Sequence, residues 1–203
     1  MKKLKILLDC DGVLSDFTAG MLVVVAEVTG KHFTPADVTQ FDFTKALGLS
    51  KDEAVAVKKA IGAKRGFAMA LPPYPEARQG VRRLRELGDV FCVTHPWESN
   101  QWWRTERDSW LALHYGIDLV HHNDTKTSYE ADIFVDDKSS HVRDWLATWP
   151  GRTAVFWRTP HNTTETVPSG ARATDSWDAL YQIAREAALG PVQPSLPTME
   201  MTP

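Results

Sequence analysis

Twice in this 203-residue chain a short apolar run stops abruptly against a pair of acidic residues, and that repeated junction limits the folds open to it. The first run, Leu4–Leu8, is broken only by Lys5 and ends at Asp9-Cys10-Asp11-Gly12. The second, Ile133-Phe134-Val135, follows Ala131-Asp132 and ends at Asp136-Asp137. Short runs without polar alternation read as strands buried on both faces. Residues 89–94, 117–120 and 153–157 read as further strands. Helical patterns lie between them. Ala77, Val81, Leu84 and Leu87 recur at helical spacing after Pro75 and stop at Gly88. A tryptophan-rich segment, 99–115, closes at Gly116. Residues 139–148 place Val142, Trp145 and Leu146 on one face, and Trp177, Leu180, Ile183, Ala184 and Ala187 define a last helix. Strands alternating with helices predict an α/β fold, a parallel sheet flanked by helices. Ligands of such sheets gather at the carboxyl ends of the strands, which is where both acidic pairs fall.

Residues 18–74 break the alternation. An apolar helix is expected over 18–30, ending at Gly30. Ser50 with Glu53 forms a capping box, so a second helix should run to about Ile61 and stop at Gly62. Residues 66–73 read as a loop, and no strand is evident. The segment 18–74 is therefore expected to be an inserted small helical cap on a core formed by 1–17 and 75–190. Residues 191–203, rich in Pro, Ser and Thr, are expected to be a disordered tail.

Composition adds exclusions. At 43% hydrophobic and 24% charged the chain can bury the core of one soluble domain. A net charge of −3 gives no whole-chain argument for nucleic acid or for an anionic membrane, and no apolar stretch is long enough to span a bilayer. The opening Met1-Lys2-Lys3-Leu4 imitates a signal peptide, but the apolar run ends too soon, at Asp9. Cys10 and Cys92, each in an apolar run, read as buried free thiols of a reducing compartment, so a cytoplasmic location is expected. A homodimer is left open.

The acidic junctions carry the chemistry. Asp9 and Asp11, two residues apart on an extended chain, can face the same side. Carboxylates so close repel unless a proton or cation intervenes, and a hard divalent ion such as Mg²⁺ resolves the conflict with oxygen ligands. Gly12 permits the sharp turn that leaves the strand. A double Asp alone reads as a solvated loop. At the same sheet edge as Asp9 and Asp11, Asp136 and Asp137 become metal-ligand candidates. Thr94, at the end of the strand over 89–94, offers a hydroxyl to a phosphate oxygen. His121-His122 has no partner at ligand spacing and reads as a loop. Arg82, Arg83 and Arg85 read as a solvated helix face.

These motifs resemble those of the haloacid-dehalogenase (HAD) superfamily: Asp9-Cys10-Asp11-Gly12-Val13-Leu14 its first, Thr94 its second, Asp136-Asp137 its fourth. More narrowly, the chain resembles the 5'(3')-deoxyribonucleotidase family. The shared features are residues 11–17, Thr94-His95-Pro96, Trp110-Leu111, Lys126-Thr127 ahead of Ala131-Asp132, and, less specifically, residues 156–162 with His161-Asn162 and Ser176-Trp177. The resemblance implies a Rossmann-like core with a small helical cap. It also implies an Mg²⁺-dependent phosphatase acting on a small phosphate ester, a (deoxy)nucleoside monophosphate, through an aspartyl-phosphate on Asp9. Asp11 would be the acid and base, and Asp9, Asp11 (through its carbonyl), Asp136 and Asp137 the metal site. Two departures stand out: His95 where the family has Ser, and Arg107 where it has a phosphate-binding Lys. Arg107 and Lys126 both remain candidates for the third-motif cation; with Thr94 and His95 they make up the expected phosphate site. Phe17, Phe41, Phe43 and Phe67 are expected either to line a slot for a flat base or to form the cap's core. Other readings are a HAD phosphatase for a sugar or amino-acid phosphate, a phosphomutase, and a non-catalytic phosphate-ester-binding protein.

Overall fold

A computed structural model of the protein describes residues 2–123 and 125–190, so the expected tail 191–203 lies outside the described residues. Six parallel strands, β1 (Leu4–Leu8), β2 (Gly88–Thr94), β3 (Val120–His122), β4 (Ile133–Asp136), β5 (Thr153–Trp157) and β6 (Arg172–Thr174), form one sheet in the order β3-β2-β1-β4-β5-β6. The chain first builds outward from β1 through β2 to β3. It then returns to the other side of β1 and builds outward again through β4 and β5 to β6. The strand order therefore reverses between β1 and β4, the place where open α/β sheets form their crevice. Leu8 pairs with Cys92 on one side and with Val135 on the other, which brings Asp9, Thr94 and Asp136 to one edge.

Alternation along the strands divides the core. Leu4, Ile6 and Leu8 pack with Val81, Leu84 and Leu87 of α4 (Ala77–Leu87) and with Leu180, Ile183 and Ala184 of α7 (Trp177–Leu189). Trp110 and Leu111 of α5 (Trp103–Tyr115) join that cluster. Leu7, Val93, Phe134 and Phe156 face the other way, onto Val142 and Trp145 of α6 (Ser139–Thr148). Each such aliphatic side chain contributes about 1.5–3 kcal/mol by leaving water. Arg83 is not simply a solvated charge: it pairs with Asp178 of α7 and lies 4.2 Å over the ring of Tyr181.

A third apolar cluster stands apart. Met21, Val24 and Val25 of α1 (Phe17–Thr29) pack with Val57 and Ile61 of α3 (Lys51–Ala63), and with Val38, Leu47, Phe67 and Leu71. The short α2 (Phe43–Ala46) adds Phe43 and Ala46. The chain enters and leaves this cluster side by side: Asp16 N–H bonds Pro72 O (2.8 Å) and Tyr74 N–H bonds Leu14 O (2.9 Å).

Four details correct the expectations. Gly62 does not stop α3; the helix runs on to Ala63, and a Cβ on Gly62 would lie 2.4 Å from Ser99 Oγ. The third strand falls at Val120–His122, so His121-His122 is strand and not loop. The helices expected from Pro75 and from residue 99 begin at Ala77 and Trp103. The edge strand β6 was not foreseen: it is short, and Arg172 and Ala173 are exposed, so it lacks the buried run that marks the others.

Candidate active site

Residue Asp9 continues the β1 ladder by one step, its N–H bonding Val135 O at 2.9 Å, and then the chain turns. The N–H groups of Leu14 and Ser15 both converge on the carbonyl of Cys10 (2.8 and 2.9 Å). Gly12 sits in this turn at φ +83°, and a Cβ there would lie 2.0 Å from Asp137 Oδ2. Glycine is required twice over: for the dihedral and for the approach of the fourth-motif acid.

One oxygen each from Asp9, Asp136 and Asp137 lies within 4.8 Å of the others, and all three residues are buried. The Lys126 ammonium bridges two of them, 2.7 Å from Asp9 Oδ1 and 2.7 Å from Asp136 Oδ2. Lys126 comes from a 3-10 turn, Lys126–Ser128, and its side chain is 3% exposed, so its charge is spent inside the cluster. Asp136 also accepts from the Lys138 N–H (2.8 Å) and lies 3.1 Å from His141 Nδ1. Asp137 lies 2.9 Å from His161 Nε2, while the Asn162 amide donates to Asp137 O at 2.7 Å.

Burial and charge pull these carboxylates apart. Burial lifts Asp9 well above the usual carboxylate range against the opposing pull of Lys126, and the neighbouring Asp136 and Asp137 push the same way as burial. Burial also raises Asp137, against the hydrogen bond from His161. Asp136 is buried too, yet the charge of Lys126 and the contacts of Lys126 and His141 hold it below the ordinary value. Lys126 is the mirror image: burial opposes its charge, but Asp136 and Asp9 raise it. Three carboxylates against one ammonium leave an anionic, oxygen-lined cluster, the donor chemistry suited to a hard divalent cation.

The Asp11 carboxylate stands apart from that trio. It meets Arg107 Nη2 at 2.8 and 3.1 Å and accepts from Ser15 Oγ at 3.1 Å. Arg107 is fully buried, between Trp103 (4.8 Å from ring centroid) and Trp110 (5.5 Å). The two candidate cations are thus separated, Lys126 on Asp9 and Arg107 on Asp11. Thr94 is buried at the end of β2, and His95 beside it is exposed. Phe17 stacks on Trp97 (6.0 Å between centroids, 26°) and meets Phe67 edge-on (6.0 Å). Phe67 and Phe43 belong to the third apolar cluster, whereas Phe41 is 51% exposed, edge-on to His161 at 5.7 Å and under the Lys138 ammonium at 4.9 Å.

Sequence reasoning missed Ser15, Trp97, Lys138 and His141. Ser15 lies inside the stretch 11–17 that carries the resemblance but was given no role, and Trp97 directly follows Thr94-His95-Pro96; their side chains join the site only once the loops fold. His141 is five residues past Asp136, a spacing with no signature of its own.

Solved structures share this fold. A haloacid dehalogenase-like hydrolase from Burkholderia xenovorans superposes with a TM-score of 0.63 at 17% identity, covering 92% of this chain and 99% of that one. A HAD hydrolase from Bacillus subtilis, bound to magnesium, superposes with a TM-score of 0.57 at 13% identity, covering 91% and 100%. These likenesses show the fold. In sequence, the human "5'(3')-deoxyribonucleotidase, cytosolic type" is 26% identical over 204 residues, 95% of this chain and 98% of that protein. The mouse "5'(3')-deoxyribonucleotidase, mitochondrial" is 28% identical over 144 residues, 68% of this chain and 66% of that protein. A model of the family described as "5' nucleotidase, deoxy (Pyrimidine), cytosolic type C protein" matches residues 2–189, nearly the whole described chain, and the protein therefore belongs to that family.

Proposed function

We infer that the protein hydrolyses deoxyribonucleoside monophosphates, using Asp9 as nucleophile and Mg²⁺ as cofactor. The observation that carries the reading is the buried trio Asp9, Asp136 and Asp137, tied together by Lys126 beside the separately held Asp11. Family membership and the activity for which its relatives are named supply the substrate class.

The trio, with the carbonyl of Asp11, would hold Mg²⁺. Bound there, the ion would supply positive charge to offset that of the phosphoryl oxygens. The rest of the chemistry belongs to the chain. Asp9 attacks phosphorus, and the bond from phosphorus to the leaving oxygen breaks as Asp11 gives that oxygen a proton. The alcohol departs and Asp9 carries an acyl phosphate. Asp11, now a carboxylate, takes a proton from the water that attacks phosphorus. The Asp9–phosphorus bond breaks, releasing phosphate and restoring both carboxyl groups. Lys126 is the third-motif cation of this reading: it holds the Asp9 carboxylate in place and faces the phosphoryl group with Thr94. Asp137, braced by His161, completes the cation site. Residues 18–74 form the cap, and the half-buried rings of Phe17 and Trp97, backed by the buried Phe67, offer a face on which a base can stack, worth about 1–3 kcal/mol.

The test is phosphate release from a panel of nucleoside monophosphates, sugar phosphates and amino-acid phosphates, with Mg²⁺ and with EDTA, for the parent and Asp9→Asn. Mg²⁺-dependent release from deoxynucleotides that disappears in Asp9→Asn is expected. Release only from sugar or amino-acid phosphates would overturn the substrate, and release undiminished in Asp9→Asn would overturn the nucleophile.

A further inference from the structure

Of the two cations at the site, Lys126 has a place in the reading above and Arg107 does not. We propose that Arg107, with Ser15, is a positioning residue for the acid/base carboxylate of Asp11, and that Asp11 Oδ2 is the oxygen that carries the transferred proton. The inference rests on the phosphatase reading and goes beyond it.

The contacts are directional. Arg107 Nη1 donates to Ser15 Oγ at 3.2 Å, which turns the hydroxyl hydrogen of Ser15 toward Asp11 Oδ1 at 3.1 Å. Arg107 Nη2 donates to the same Oδ1 at 2.8 Å and more distantly to Oδ2 at 3.1 Å. Oδ1 thus accepts two hydrogen bonds and Oδ2 one long one, so Oδ2 keeps the freer lone pairs for the leaving oxygen and then for water. The planar guanidinium gives one nitrogen to the carboxylate and the other to Ser15, so it ties acid and hydroxyl to one rigid frame, which a lysine ammonium with its single nitrogen cannot do.

The guanidinium itself is enclosed. Its side chain is 0% exposed, while that of Asp11 is 28% exposed, so the acid faces the open side of the site and the arginine does not. Trp103 and Trp110 hold its two flanks. The helix that carries it is locked to the neighbouring backbone: Trp110 Nε1 donates to Leu71 O at 2.8 Å, and the Glu106 carboxylate accepts from the N–H groups of Gly66 (2.6 Å) and Ala68 (3.2 Å). A side chain so enclosed cannot follow a phosphoryl group, but it can hold one carboxylate at a fixed angle. Catalysis by a general acid depends on that angle, because the proton must be aligned in the transition state.

Two esters separate this role from phosphate binding. Thymidine 5'-monophosphate has an alkoxide leaving group that needs the proton; p-nitrophenyl phosphate has one that departs without it. Both carry the same phosphoryl group. In Arg107→Gln, the single-turnover rate of alcohol release, which precedes the water step that the two esters share, should fall by roughly 10²-fold with the nucleotide, the scale of a misplaced general acid, and by less than about fivefold with the aryl ester, with KM for both little changed. Arg107→Lys should regain part of the nucleotide activity. Ser15→Ala, which barely alters volume, should show the same split at smaller size and keeps the test decisive where Arg107→Gln does not fold. Equal losses on both esters, or a loss confined to KM, would overturn the proposal and make Arg107 a phosphate ligand. A parent active on both esters whose variants show no such split sinks this inference alone. A parent inactive on both esters sinks the phosphatase reading with it.

Discussion

At the scale of single residues, the site is a problem of buried charge. Asp9, Asp136 and Lys126 are all nearly inaccessible, and the pair of 2.7 Å contacts from Lys126 is what makes two neighbouring carboxylates tolerable. Replacing Lys126 with Met leaves both acids without their cation, and removal of one partner of a buried ion pair costs about 3–5 kcal/mol. Chemical denaturation of the metal-free protein should show that loss. The sign with pH follows from the direction of the shift. Lys126 is raised above its ordinary value, so its stabilising contribution is complete below pH 10.5 and fades only as the pH climbs through the raised value. The deficit of Lys126→Met should therefore persist across the neutral range. Asp9→Asn behaves oppositely in stability. Burial and like charge hold Asp9 above its ordinary value, so its ionised form burdens the native state at neutral pH. The metal-free variant should melt no lower than the parent, while turnover falls by at least about 10³-fold, as for other lost nucleophiles. A low melting temperature in Asp9→Asn would mean that the carboxylate holds the loop and not only the chemistry.

Among the elements, α5 links the third apolar cluster, through Trp103, to the first, through Trp110 and Leu111, and it is also where reading the sequence was least complete. Glu106 binds two backbone N–H groups of the segment that returns from the third cluster, and Asn100, just ahead of the helix, donates to Ile61 O at 2.9 Å. Glu106→Ala should cost about 1–3 kcal/mol, the penalty for leaving donors unpaired, and hydrogen exchange should speed up at Gly66 and Ala68 first. Uniform acceleration across the sheet would point instead to global destabilisation. The strands β1, β4 and β5 were legible because their apolar runs end sharply at Asp or at polar turns. The capping box of Ser50 and Glu53 is present as expected, Glu53 N–H on Ser50 Oγ at 3.2 Å and Ser50 N–H on the Glu53 carboxylate at 2.8 Å. Gly62 misled because a buried helical glycine and a terminating glycine look alike in sequence; only the Ser99 side chain against it tells them apart. At the site, the acidic pairs announced themselves by position. The partners of Asp11 did not, since Ser15 and Arg107 lie 92 residues apart and meet only through the fold.

For the molecule as a whole, the reversal of strand order beside β1 concentrates negative charge at one sheet edge, and the stability of the fold should therefore depend on what occupies that edge. Asp9 and Asp137 are both held above the ordinary carboxylate value of 3.8 by burial first. Acids shifted upward favour the native state most below that ordinary value, and the advantage is lost as the pH rises through the raised values. Without a cation, then, neutral pH works against the site. A divalent ion that binds only the folded state reverses this, by about 2.7 kcal/mol at a concentration 100-fold above its Kd. For a chain of this length that gain corresponds to a thermal shift of about 5–10 °C. Because the ion displaces protons from Asp9 and Asp137, the shift with Mg²⁺ over EDTA should be larger near pH 7.5 than near pH 5.5, and calorimetric titration should register proton release on binding. Asp136→Asn removes a donor that is already ionised and should abolish the shift at both pH values. A parent whose melting temperature ignores Mg²⁺ at either pH would mean that Lys126 alone balances the trio, and the cation site would have to be sought without these three carboxylates.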